Sequence, residues 1–78
     1  MKLIIIDSKG KSNPINIMES ELVEELKNQI KMKFNINHDI ELLFNGKILE
    51  NKDYLFDEGI TDNSTINFLG VFKAGKAK

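Results

Sequence analysis

The chain opens with MKLIIID, a β-branched run, continues through the loop formers of KGKSNP, and resumes apolar alternation in INIM. That pattern predicts a β-hairpin. Pro14 lacks a backbone N–H and therefore predicts the start of an edge strand. From Ser20 the period changes: Leu22, Leu26, Ile30 and Phe34 recur every fourth residue, with Val23 beside them, which predicts a helix with one apolar stripe. Ser20 is its expected N-cap. Glu21, Glu24 and Glu25 fall in the first turns and Lys27, Lys31 and Lys33 in the later ones, the order that the helix dipole favours. NINHD breaks the helix, IELLF alternates again, Asn45-Gly46 asks for a type I′ turn, and KILE returns, so residues 40–50 predict a second hairpin. A long polar connection follows, with Tyr54, Leu55, Phe56 and Ile60 expected to pin it through a short helical turn. TINFLGVF closes as a strand. KAGKAK reads as a tail or the start of a linker, which gives one domain over residues 1–72 and a flexible segment at 73–78.

Two adjacent leucines, Leu42 and Leu43, test this reading, because neighbours on a strand face opposite sides of a sheet. With the helix on one side, parity turns Met1, Leu3, Ile5, Ile15, Ile17, Ile40, Leu42, Phe44, Leu49, Ile66 and Phe68 inward, together with the helix stripe, Leu55 and Ile60. It turns Ile4, Ile6, Leu43, Leu69 and Val71 outward, onto a sheet face that no second helix covers. Beta propensity alone can account for scattered exposed isoleucine and valine. Five aliphatics on neighbouring strands can instead merge into a patch of a few hundred Å², the order of size that marks interaction sites.

Composition narrows the function classes. The chain has 78 residues, 41% hydrophobic and 29% charged, which suits one small globular domain. Without cysteine it has no disulfide and no thiolate zinc site. Its net charge is −1, and all eleven basic residues are lysine, so the arginine fork that reads guanine edges and phosphates is missing. Nucleic acid is not an expected partner. No apolar run approaches the roughly 18 residues of a membrane span, and MKLIII is too short for a signal peptide, so a cytosolic or nuclear location and no membrane partner are expected.

Hairpin, helix, hairpin, long loop and strand describe an α+β fold in which a mixed sheet of four to five strands wraps one helix, the β-grasp architecture. Gly10 and Lys11 in the first turn, VEELKNQI, LLFNGKILE, GIT and STINFL give that order a specific signature. In these residues and their spacing, over about residues 1–72, the chain resembles ubiquitin and the ubiquitin-like domains. GKILE is most similar to the N-terminal ubiquitin-like domains of shuttle adaptors that carry cargo to the proteasome. The resemblance implies a hydrophobic docking surface on the open sheet face, with Leu43 and Leu69 at its apolar positions and Ile4, Ile6, Lys47, Asn67 and Val71 around them. Three positions depart from ubiquitin: Ser8 replaces a leucine, Asn67 a histidine, and Ile6 a lysine. Partners that bind the sheet face, such as a short amphipathic helix or a proteasome receptor, are therefore expected over those that read the first turn.

The expected function is that of a monomeric, non-conjugated interaction domain, the N-terminal module of a longer adaptor. A covalent modifier is the alternative. That family needs a terminal Gly-Gly, whereas here Gly70 and Gly75 stand apart, so the alternative requires a Gly-Gly end beyond this sequence. Lys11, Lys27 and Lys47 match chain-acceptor positions of ubiquitin, but solvated surface is the expected reading, since acceptor lysines are common on any exposed surface. No catalytic constellation is visible. His38 is the only histidine and is expected in an exposed loop, His38-Asp39 is too small a metal set, and Asp57-Glu58 are loop neighbours that do not converge on one atom. No cofactor is implied.

Overall fold

The Asn45-Gly46 turn sets the register of the second hairpin. Both residues have positive φ, 54° and 79°, as a type I′ turn requires, so Phe44 faces Lys47 and Leu43 faces Ile48. In the computed structural model, which describes residues 1–71, five strands form one sheet: β1 (Lys2–Ile6), β2 (Ser12–Asn16), β3 (Asp39–Phe44), β4 (Lys47–Ile48) and β5 (Thr65–Val71). Their order is β2-β1-β5-β3-β4, with β1 and β5 parallel and every other pair antiparallel. One helix, α1 (Val23–Phe34), lies between β2 and β3 in the chain. This is the β-grasp arrangement. The expected tail at 73–78 lies outside the described residues.

Pro14 sits within β2 rather than before it, opposite Ile4. The edge tolerates it because Ile4 sends its own N–H to the Ser64 carbonyl on the β5 side, at 2.9 Å. Ile4 and Pro14 are thus a non-bonded pair of the β1–β2 ladder, and proline's missing donor would have faced solvent.

The helix begins at Val23, with Leu22 and not Ser20 at the N-cap position and no side-chain cap. The reason is tertiary. Val23 and Glu24 donate their N–H groups to the carbonyls of Asp53 and Asn51, at 2.9 and 3.1 Å, so the loop after β4 satisfies donors that a serine would otherwise serve. At the other end Asn35 takes the left-handed conformation, φ 58°, and Ile36 donates to the Lys31 carbonyl at 2.8 Å. Glu24 and Glu25 occupy the first turn, Lys31 and Lys33 the last.

Parity assigns the core correctly. Leu3, Ile5, Ile15, Ile17, Ile40, Leu42, Leu49, Ile66 and Phe68 of the strands and their flanks pack with Val23, Leu26 and Ile30 of α1 and with Leu55 and Ile60. Met1, Phe34 and Phe44 lie half-buried against this cluster, joined by Ile36. Phe34 and Phe68 meet with ring centroids 5.3 Å apart. Among the described residues no buried side-chain nitrogen or oxygen lacks a hydrogen-bond partner.

The connection after β4 differs from expectation. A 3-10 turn (Leu55–Glu58) buries Leu55, but Tyr54 and Phe56 on either side of it are 46% and 53% exposed. Tyr54 is extended at the start of the turn and Phe56 lies within it, and both are turned away from the core that Leu55 enters. Of the four apolar residues expected to pin this connection, Leu55 and Ile60 reach the core.

Candidate functional site

The outward side chains of the sheet line up by register. Ile6 lies opposite Asn67 across β1–β5, Asn67 opposite Leu43 across β5–β3, and Leu43 opposite Ile48 across β3–β4. One row therefore crosses four strands as isoleucine, asparagine, leucine and isoleucine. Leu69 stands two residues along β5 from Asn67, diagonal to both Ile6 and Leu43 and within reach of either aliphatic side chain. Leu69 is 51% exposed, while Ile6 and Leu43 are half-buried, one on either side of β5.

The other expected site residues lie around this group. Ile4, half-buried, pairs with Thr65 one row back, and Val71, also half-buried, pairs with Asp39 at the far end of β5. Lys47 belongs to the opposite parity, facing Phe44, and its Nζ lies 2.9 Å from Glu58 Oε1 of the 3-10 turn. It forms a charged rim rather than part of the apolar row. Ile48, absent from the sequence-based set, is 54% exposed and extends the row to the sheet edge. The signal for it lies in the sequence: a two-residue turn at Asn45-Gly46 requires Leu43 and Ile48 to be partners.

Electrostatics at the rim centre on Lys47, Glu58 and Asp53. The Lys47 hydrogen bond, then that of Asp53, holds the Glu58 carboxyl below its ordinary range, and the Glu58 contact raises Lys47. Asp53 is pushed the other way, first by its hydrogen bond to Glu58 and then by desolvation, so it holds its proton more tightly than a free aspartate. Glu41, opposite Leu69, turns its carboxylate to the helix, with Oε1 3.5 Å from Lys27 Nζ.

That pair corrects the view of Lys27 as solvated surface: its side chain is only 14% exposed, held between α1 and β3. Lys11 is exposed. His38 is half-buried rather than exposed, with Nδ1 3.0 Å from the Asp39 carbonyl oxygen, a geometry that makes Nδ1 the donor. Among the described residues no group of three or more histidine, aspartate or glutamate side chains is placed to hold a metal ion.

An aliphatic row with an amide at its centre and an ion pair at its rim can bury apolar area against a partner and offer Asn67 as donor and acceptor. It positions no nucleophile beside a base. The model of the Ubiquitin family matches residues 4–71. A curated relative, the ubiquitin-like protein NEDD8-like protein 2 of Dictyostelium discoideum, is 38% identical over 63 residues, which cover 80% of this chain and 79% of that protein.

Proposed function

This chain belongs to the ubiquitin family, and on that premise we propose that it is a non-conjugated interaction domain that docks reversibly through its open sheet face. The partners are amphipathic ubiquitin-interacting helices or proteasome receptor subunits, met in the cytosol or nucleus by a monomeric domain within a shuttle-type adaptor. The supporting observation is the continuous row of Ile6, Asn67, Leu43 and Ile48 with the 51% exposed Leu69 beside it. A helix laid across the row would bury these side chains while Asn67 hydrogen-bonds to its polar edge. A patch of this kind suits transient complexes with dissociation constants on the order of micromolar.

Calorimetric titration of a ubiquitin-interacting helical peptide tests the proposal. Truncating Leu43 or Leu69 to alanine removes part of a contact in which each buried CH₂ contributes about 0.8 kcal/mol, so affinity should fall about fivefold or more. Equal affinity for Leu43→Ala, Leu69→Ala and the parent protein would overturn it.

A second reading, covalent modification, is favoured by one observation, the NEDD8-like relative. Incubation with activating enzyme and ATP separates the two: a thioester adduct establishes the second reading.

A further inference from the structure

Tyr54 and Phe56 stack with ring centroids 5.5 Å apart and planes 17° from parallel, yet they are 46% and 53% exposed. The core does not use them, since Leu55 between them fills that role at 0% exposure. They share no residue with the sheet-face row. The loop before α1 is stitched to this platform: Phe56 donates its N–H to the Glu19 carbonyl at 3.2 Å, Leu55 to the Glu21 carbonyl at 3.0 Å, and Leu22 bridges to Tyr54. Met18, next to Glu19, is 65% exposed and adds apolar surface beside that loop.

Charge is concentrated in these two segments. Residues 19–25 and 50–58 hold eight of the chain's twelve carboxylates and only one of its eleven lysines, Lys52. Lys47 pairs with Glu58 and Asp53 hydrogen-bonds to Glu58, which leaves two exposed acids beside the platform: Asp57, next to Phe56 in the chain, and Glu19, whose carbonyl accepts the Phe56 N–H. A chain whose net charge is only −1 thus carries a negative pole where hydrogen bonds join these two segments, and the stacked rings belong to one of them.

From this juxtaposition we infer that the Tyr54–Phe56 platform with its acidic surround is a second docking surface, whose occupant is an arginine-bearing segment of a protein partner. Arginine fits both features together. Its planar guanidinium stacks on aromatic faces, and its charge and five N–H donors suit flanking carboxylates. Lysine answers the charge but has no planar group to lay on a ring. Nucleic acid is repelled by the same pole.

The test is an amide and aromatic proton titration with two synthetic probes of equal charge, hexa-arginine and hexa-lysine peptides. Shifts should centre on Tyr54, Phe56, Glu19 and Asp57. Hexa-arginine should bind about two- to fivefold more tightly, the contribution of one exposed cation–π contact. Phe56→Ala and the Tyr54→Ala/Phe56→Ala pair should erase the arginine preference without abolishing charge-driven binding. Glu19→Gln with Asp57→Asn should weaken both peptides and keep the preference. Retained dispersion of the amide spectrum shows that each variant is folded, and Phe56→Ser gives a second single replacement at an exposed position. Equal binding of the two peptides, or an arginine preference that survives loss of both rings, overturns the inference. So do shifts spread over all acids, or concentration-dependent shifts at Tyr54 and Phe56 without peptide, which would mean a second copy of this chain. None of these outcomes involves Leu43 or Leu69, so failure here leaves the sheet-face proposal standing.

Discussion

Replacing Leu42 and Leu43 with alanine, one at a time, separates the two faces of the sheet energetically. Leu42 is 0% exposed and packs in the core, so Leu42→Ala loses both transfer energy and the filling of its site, about 2–5 kcal/mol. A domain of this length has a total stability of about 4–12 kcal/mol, so that single change removes a large share of it. At about 4–8 °C per kcal/mol for a domain of this size, the midpoint should fall by roughly 8–40 °C. Leu43 is half-buried on the open face, where truncation leaves a dent that water fills rather than a cavity. Its loss should cost about 1 kcal/mol or less, a shift of a few degrees. Thermal and urea melts followed by circular dichroism read both values. Similar losses for the two variants, or a larger loss for Leu43→Ala, would refute the parity on which the sheet-face proposal rests.

Three further outcomes follow from particular contacts. Gly46→Ala should destabilise by about 1–2 kcal/mol, because φ is 79° there; a Cβ would meet nothing within 4 Å, so the whole cost is backbone strain, read in the same melts. Asp53→Asn should raise the melting temperature at neutral pH. A carboxyl with a raised pKa is costly to ionise in the folded state, so the gain is present once Asp53 is ionised and disappears as the pH falls below the ordinary aspartate range; a gain that persists at pH 3 contradicts this. Ile48→Lys places a charge at the exposed end of the aliphatic row and should weaken helical-peptide binding several-fold with little change in stability; unchanged affinity would remove Ile48 from the surface.

Local chemistry makes much of this fold legible in the amino-acid sequence. Asn45-Gly46 announces its turn, alternation divides Leu42 from Leu43, and the four-residue period marks the helix, because each signal acts over a few residues. What escapes depends on distant partners. Ser20 is an apt cap by type, but the carbonyls of Asn51 and Asp53 reach the helix start from a loop some thirty residues away in sequence. Lys27 resembles any surface lysine until β3 brings Glu41 alongside it. Tyr54 and Phe56 have the character of core anchors because aromatic rings usually bury, and only the path of the backbone around Leu55 turns them to solvent. On the candidate surface, Ile6, Leu43, Asn67 and Leu69 are legible as one group from parity and the family resemblance, whereas Lys47 faces the other way and is held by Glu58.

Docking as proposed seats a partner helix on the helix-free side of the sheet. Mapping amide shifts on the isotope-labelled domain during titration with a ubiquitin-interacting helical peptide tests it most directly. The largest changes should fall at Ile6, Leu43, Ile48, Asn67 and Leu69, with α1 nearly silent. Changes centred on α1, or none at saturating peptide, would contradict it.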